Sequence, residues 1–475
     1  MLFNSFAFII FLPIVYSLYW WLGARRIRAQ NALIWVASYI FYGWWDWRFL
    51  GLIAGSSLVD FIVGQKMHEA TTPKRRRGLL FLSLLVNLGV LGLFKYYNFF
   101  IDSFAEILEV IGLQANLPTL RIILPVGISF YTFQTLSYTI DIYRGRLKPT
   151  DDFIAFFAFV SFFPQLVAGP IERASALLPQ FLKTRVMNWE QAKDGLRQIL
   201  GGMFKKVIIA DNIAGGVNLV FNNYQNFSGL ELFLATFGFA IQIYCDFSGY
   251  SDIAIGTARL FGFDLTRNFA FPYFSRNIGE FWRRWHISLS TWFRDYVFIT
   301  LGGNRCALPK HITNIIITFT LSGLWHGSSW NFVIWGLLNG LYYIPMLMMN
   351  RQKTYTGSVA ENRIFPSLVE LRQMLITFGL CLLAWIFFRS TSLEAAFGFI
   401  ERMGTGPWLV IPSLKKATLL GLGLLFVEWF QRNRKHTLDI QQLRTGPRWV
   451  IYTIVFINLL AFQPQTEAAF IYFQF

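Results

Sequence analysis

The sequence predicts an all-α polytopic membrane protein of roughly ten to twelve transmembrane or re-entrant helices. Three observations carry that prediction. Of the 475 residues, 55% are hydrophobic and only 14% are charged, against about 25% charged in soluble domains. One soluble core of this length could not hide so much apolar surface. The apolar residues also fall into runs long enough to span a hydrocarbon core. Finally, the formal charge of +16 sits in short loops between those runs. That is the positive-inside pattern of a membrane protein and not the continuous basic face of a nucleic-acid binder.

Each run can be justified in turn. Residues 2–22 are apolar and lack a basic leader or a small-residue cleavage site, so they are expected to be a retained first span. Arg25, Arg26 and Arg28 follow. Residues 31–47 and 49–65 read as a hairpin of short spans with Trp44, Trp45, Asp46 and Trp47 at its tip, where indole rings favour the headgroup level. Lys74, Arg75, Arg76 and Arg77 come next. Two basic loops around one hairpin put both loops inside and the N-terminus outside. Residues 78–97 go out. Residues 98–112 carry Asp102, Glu106 and Glu109 and no base, which suits an amphipathic helix on the outer face. Residues 124–143 return to Arg144, Arg146 and Lys148.

Residues 153–170 are apolar but interrupted by Pro164, Gly169 and Pro170. A broken segment is tolerated at membrane depth only where protein or a water cavity satisfies its backbone. Residues 172–206 read as cytoplasmic surface helices, 207–221 and 233–247 as a pair of spans, and 249–310 as a cytoplasmic re-entrant layer within the one domain. Residues 312–330 and 332–349, then 375–388 and 414–430, form further pairs separated by basic inner loops. Residues 449–462 go out, which leaves a tail at 463–475 outside. The cysteines Cys245, Cys306 and Cys381 show no CxxC spacing, so neither a disulfide framework nor a zinc site is expected.

Polar residues inside a membrane are costly and are functional candidates by default. His68 and His436 lie in basic inner loops and read as solvated, as does His311 beside Lys310. His326 differs. It lies between Gly323 and Gly327 at the deep end of an apolar run, and burial there would keep its imidazole neutral and able to accept a proton. The plainer reading is a small-residue helix-packing face with a hydrogen-bonded His. His286 sits in Phe281-Trp282-Arg283-Arg284-Trp285-His286. It reads either as a second active-site His or as an interfacial His anchored by Trp. Arg283, Arg284, Arg294, Arg305 and Lys310 cluster on the inner side, where they could bind a phosphate-bearing donor or simply anchor the loop. Asp246 and Asp252 are nearly two turns apart if helical, with Gly249 between them arguing for a break; structural polar contacts are the favoured role. No nucleophile elbow, HExxH or P-loop appears.

With these residues in hand, the chain resembles the membrane-bound O-acyltransferase (MBOAT) superfamily, most of all the bacterial branch that O-acetylates alginate, cellulose or peptidoglycan. The resemblance runs along nearly the whole chain. It is carried by residues 131–135, 167–171, 246–252, 281–289, 292–296, 301–305 and 323–327. It implies a ring of helices around a tunnel, lined by Trp325, Asp246, Ser248, Asp252 and Asn304. His326 is the implied catalytic base and His286 the second characteristic His. The donor would be acetyl-CoA, bound as a substrate with no tightly held cofactor or metal, and the acceptor an extracytoplasmic glycan served by an SGNH-type transferase partner. A multi-pass inner (plasma) membrane location follows. The ending Phe470-Ile471-Tyr472-Phe473-Gln474-Phe475 is similar to the branch's short acyl-transfer motif and suggests Tyr472 as an acyl carrier, where an aromatic tail at the outer interface is the plainer reading. D-alanyl transfer and a non-catalytic transporter are the alternatives.

Overall fold

The protein is described here by a computed structural model covering residues 1–113, 117–120, 122–349, 354–408, 414–462 and 470–471. All regular structure among the described residues is helical. The chain divides into two compact units, residues 1–195 with 257–266, and residues 196–256 with 267–475.

The first unit holds α1 Phe6–Trp21, α2 Ile27–Asp46, α3 Leu50–Glu69, α4 Pro73–Leu91, α5 Tyr97–Val110, α6 Ile128–Tyr143, α7 Phe153–Val160, α8 Phe163–Leu166, α9 Ala174–Phe181 and the first half of α10 Trp189–Met203. Local chemistry sets the ends. Ser5 caps α1 by accepting the Phe8 N–H. Thr72 caps α4 ahead of Pro73, a residue suited to the first helical position because its missing N–H would have no partner there. The chain turns between α2 and α3 at Asp46, whose backbone is extended and whose carboxylate accepts the Arg48 N–H; this is the Trp-rich tip expected from sequence. The expected acidic helix is α5, which buries none of its residues.

The break anticipated in 153–170 lies between α7 and α8; α7 is buried from Ala155 onward and α8 throughout. Exposed Phe6, Ile9, Ile10 and Ile14 on α1 and Val36 and Ile40 on α2 present apolar surface outward, as a lipid-facing helix must. Inside, Asp60 of α3 accepts from Ser83 (2.6 Å) and Asn87 (2.8 Å) of α4, and Thr135 of α6 donates to Asn87 (3.1 Å). A buried carboxylate persists only with such partners, and this set ties three helices together.

The second unit holds the rest of α10, then α11 Asp211–Asn222, α12 Gly229–Leu260 (its last turn counted with the first unit), α13 Ile278–Arg284, α14 Ile287–Phe293, α15 Leu308–His326, α16 Trp330–Met348, α17 Leu368–Arg389, α18 Leu393–Thr405, α19 Lys415–Gln431 and α20 Thr445–Ala461. Two expectations are corrected. First, α12 runs unbroken through Gly249, so the proposed start of the re-entrant layer is helix interior. Gly249 is there because the 202–203 end of α10 crosses it: a Cβ at 249 would stand 2.7 Å from the Gly202 carbonyl oxygen. Second, α18 fills a stretch that had no assignment, because its apolar face is too short to read as a span.

Five helical stretches among the described residues are long and apolar enough to cross a membrane: Ile27–Glu69, Pro73–Val110, Gly229–Leu260, Trp330–Met348 and Leu368–Arg389. Three shorter apolar ones, Phe6–Trp21, Phe153–Leu166 and Thr445–Ala461, accompany them. The protein is thus an all-α multi-pass membrane protein. α15 equals α16 in length but carries Lys310, His311, Asn314 and His326, which keep it below the hydropathy of a free-standing span.

Candidate active site

Two histidines meet inside the second unit. His286 is fully buried and His326 is 3% exposed. Their ring centroids lie 6.3 Å apart. His326 is the last residue of α15, and Trp325, Trp335 and Phe388 surround its ring at 5.0, 5.0 and 5.4 Å. Trp385 stacks on Trp335 and also meets Trp285, the neighbour of His286. The pair therefore sits in a box of aromatic rings that excludes water. His286 is enclosed by protein despite its flanking arginines.

The local backbone explains how His286 is aimed. It lies between α13 and α14 with φ +42°, a left-handed conformation uncommon for residues other than glycine and costing about 1–3 kcal/mol. The irregular segment 268–270 holds it there. Ile287 N–H donates to the Asn268 carbonyl (2.9 Å), and Ala270 N–H to that of Arg284 (2.9 Å). The Asn268 side chain, also fully buried, completes the clamp. Its Oδ1 accepts from the Ser288 hydroxyl (2.9 Å) and backbone N–H (3.3 Å), and its Nδ2 donates to Ser251 (3.1 Å). The Ser288 N–H can only donate, so it fixes which amide atom points this way. The same oxygen lies 3.1 Å from His286 Nδ1. Nδ1 therefore carries the proton, and Nε2 is the acceptor nitrogen.

Burial lowers the His286 pKa from 6.5 to about 3. In the unfolded chain this His takes up a proton near its ordinary pKa of about 6.5, whereas the folded ring stays neutral until about 3. The unfolded state thus binds more protons across that window, so the residue's contribution makes stability fall as pH drops through it. The expected result in detergent is a thermal midpoint that declines between about pH 7 and about pH 5, and declines less in His286→Gln. Equal declines in both proteins would contradict the buried neutral ring.

Around the pair, the other sequence candidates separate. Asp252 pairs with Lys205 (2.5 Å) and accepts from Gln198 (2.8 Å). Asp246 pairs with Lys206 (2.7 Å). Both carboxylates are thus held in buried ion pairs; the two lysines had read only as part of a basic surface. Ser248 and Asp252 line a small polar cavity, with room for about one water molecule, together with Lys205, Arg267, Asn268, Lys435 and His436. His436 is buried there, not solvated as expected, because the chain after α19 folds back over the cavity, with Thr437 reaching Glu428 (3.4 Å). His68 is exposed and His311 is half-buried against the Phe298 ring at 5.7 Å. Asn304 is exposed on the turn ahead of α15, apart from the buried set.

The five cations grouped in the sequence do not share one partner either. Arg284 is committed to buried Glu280 (2.9 Å), which Arg276 shares. Arg283 donates to the Tyr355 carbonyl (2.8 Å), Arg294 holds its neighbour Asp295 (2.7 Å), and Arg305 and Lys310 are exposed. Tyr472 lies outside the described residues. The two residues before it, Phe470 and Ile471, are buried in this unit.

Comparison with known proteins adds relatives to this geometry. Residues 144–385, which contain both histidines, match the model of the membrane-bound O-acyltransferase family. The chain is 40% identical to the probable alginate O-acetylase AlgI of Pseudomonas aeruginosa over 89% of its own length and 78% of the relative's. It is 35% identical to the peptidoglycan O-acetyltransferase of Helicobacter pylori over 85% and 80% of the two chains. A teichoic acid D-alanyltransferase of Bacillus subtilis is 31% identical over 48% of this chain and 60% of that one.

Proposed function

The chain belongs to the membrane-bound O-acyltransferase family, and from that premise we propose that it takes acetyl from cytoplasmic acetyl-CoA and passes it across the membrane for O-acetylation of an extracytoplasmic polysaccharide such as alginate or peptidoglycan. The family is one of enzymes, so the transporter alternative is set aside. The observation that carries the reading is the buried His286–His326 pair, 6.3 Å apart, inside its aromatic box.

His326, as a neutral imidazole, takes the proton from an acceptor hydroxyl. The oxygen attacks the thioester carbonyl, the C–O bond forms, the C–S bond breaks, and the proton returns to the departing CoA thiolate. His286, its Nδ1 proton held by Asn268, presents an acceptor nitrogen in the same box. Asn268 belongs both to the His286 clamp and to the wall of the small polar cavity bordered by Lys205, Arg267 and Lys435.

The first acceptor in this scheme is Tyr472. A phenol, with pKa about 10, leaves more readily than a sugar alcohol, so an acetyl-tyrosine stays transferable, and an SGNH-type partner would complete delivery to the glycan. The test is mass analysis of the peptide containing Tyr472 after incubation with acetyl-CoA. One acetyl group is expected on the unaltered protein and none on Tyr472→Phe. Unchanged transfer to glycan in Tyr472→Phe would remove the tyrosine from the pathway and leave the enzyme class standing. Transfer from an aminoacyl carrier in place of acetyl-CoA would favour the D-alanyl reading that the third relative suggests.

A further inference from the structure

His286 carries an acceptor nitrogen that the transfer step itself does not use. Several constraints fix where that nitrogen points. The backbone at 286 is left-handed. Phe247 of α12 meets the imidazole at 4.6 Å with 85° between the planes, and Phe269 lies along it at 6.3 Å with 25°. Asn268 Oδ1 faces Nδ1 at 3.1 Å. Neighbouring residues 268 and 269 thus supply both the amide and the ring stack. Asn268 is itself held from two sides, by Ser288 (2.9 Å) and by Ser251 of α12 (3.1 Å).

The group in this place is an amide, although a carboxylate is close by. Asp252 follows Ser251 on α12, but it pairs with Lys205 (2.5 Å) and accepts from Gln198 (2.8 Å). The difference has a chemical consequence. A carboxylate on Nδ1–H stabilises the imidazolium, as in a Ser-His-Asp triad. An amide oxygen holds the same proton without that charge, so His286 stays a neutral ring with a lone pair on Nε2. The donor that arises during transfer is His326, whose second ring N–H appears when it takes the acceptor's proton. A buried imidazolium needs an acceptor for each N–H. The two rings are neighbours at 6.3 Å, and catalytic hydrogen bonds are often long in the free enzyme and tighten with substrate.

We propose that Asn268, His286 and His326 form a relay: Asn268 fixes the proton on His286 Nδ1, and His286 Nε2 accepts the His326 N–H that faces away from substrate, orienting the base and stabilising its charged form. The proposal rests on the reading of His326 as the general base. Asn268 and His286 are then positioning residues, and neither touches the reacting atoms. No net proton passes along the relay. The proton that His326 takes from the hydroxyl goes to the CoA thiolate, and His286 keeps its own. A charged His286 would have no lone pair to offer and would repel the charged His326.

The charged groups around His286 are otherwise committed. On α12, Asp246 and Asp252 pair with Lys206 and Lys205. Arg284 of α13 is turned to Glu280. On α15 the neighbours are uncharged Trp325 and His326 itself. A carboxylate at 268 would therefore be the one acid acting directly on the ring.

The test uses the full chain in detergent. In nitrogen NMR spectra of imidazole-labelled protein, assigned with His286→Gln, the unaltered His286 should be a neutral ring protonated on Nδ1. A ring protonated on Nε2 overturns the relay without any activity measurement. Asn268→Ala should lower kcat by about 10²-fold, the scale of a misplaced reacting group, and leave the KM for acetyl-CoA unchanged. Asn268→Asp keeps the Ser288 and Nδ1 contacts and guards against a variant that merely folds badly. A carboxylate partner raises a histidine pKa by about 1–3 units, and the imidazolium form is inactive here. The ratio of kcat in Asn268→Asp to that of the unaltered protein should therefore fall as pH is lowered from about 8 to about 5. A ratio that does not move with pH reduces Asn268 to a structural role and overturns the relay. Unaltered kcat in Asn268→Ala, with His326→Gln inactive, overturns the relay and leaves the base standing. Turnover retained in His326→Gln overturns the relay together with the base.

Discussion

His326→Ala is expected to reduce acetyl transfer by about 10²–10⁴-fold, the scale set by loss of a general base. The side chain is 3% exposed and boxed by Trp325, Trp335 and Phe388, so no solvent base can take its place at a productive distance. The alanine variant also leaves a hole in a packed aromatic cluster, which by itself costs stability. His326→Gln separates the two effects, because glutamine fills much of the space and keeps hydrogen-bonding atoms but cannot accept a proton near neutral pH. Both variants should lose turnover, and only the alanine variant should lose a marked part of its thermal midpoint. The measurements are labelled-acetyl transfer from acetyl-CoA and thermal unfolding in the same detergent. Turnover near the unaltered level in His326→Gln would end the general-base role.

The parts of this site that were legible in the sequence are those where one residue conflicts with its surroundings. His326 stands out because an apolar run has no cheap place for an imidazole. His286 was half-legible: Arg283 and Arg284 pointed to an interface, and sequence does not reveal that Arg284 turns to Glu280 and leaves the next two residues buried. Asn268 was missed altogether. A lone Asn in an irregular segment resembles any turn residue, and its role exists only because 268–270 folds alongside 284–288. Lys205 and Lys206 were hidden for the opposite reason. Two lysines after an amphipathic helix resemble positive-inside residues, and their partners Asp252 and Asp246 lie on a different helix. Gly249 misled in the same way, since a glycine in a helix marks either a break or a close crossing, and only the second helix decides which. Helix existence survived all of this because it depends on runs of many residues, whereas the roles of single polar residues depend on contacts across the chain.

Gly323→Ala should be the most damaging single-methyl change near the site. α15 and α16 approach at Gly323 and Gly336. A Cβ at 323 would meet the Phe332 carbonyl oxygen and stand 3.0 Å from the Gly336 Cα, while one at 336 would stand 3.0 Å from the Thr320 Cα. The obstacles are backbone atoms in regular helices, so no rotamer change relieves them and the helices must separate. Overpacking of this kind costs about 1–3 kcal/mol. The separation also moves His326, three residues further along α15, relative to His286, which a different segment holds. A misplacement of about 1 Å at reacting groups can cost about 10²-fold in rate. Gly323→Ala is therefore expected to lower both the thermal midpoint and the transfer rate. Gly379→Ala, on α17 with nothing within 4 Å of the new methyl, should lower neither. If Gly323→Ala keeps the unaltered midpoint and rate, the close crossing does not hold the histidines in place. If it loses rate out of proportion to stability, the glycines beside His326 serve packing and chemistry through the same contact, and the two readings of the 323–327 motif describe one arrangement.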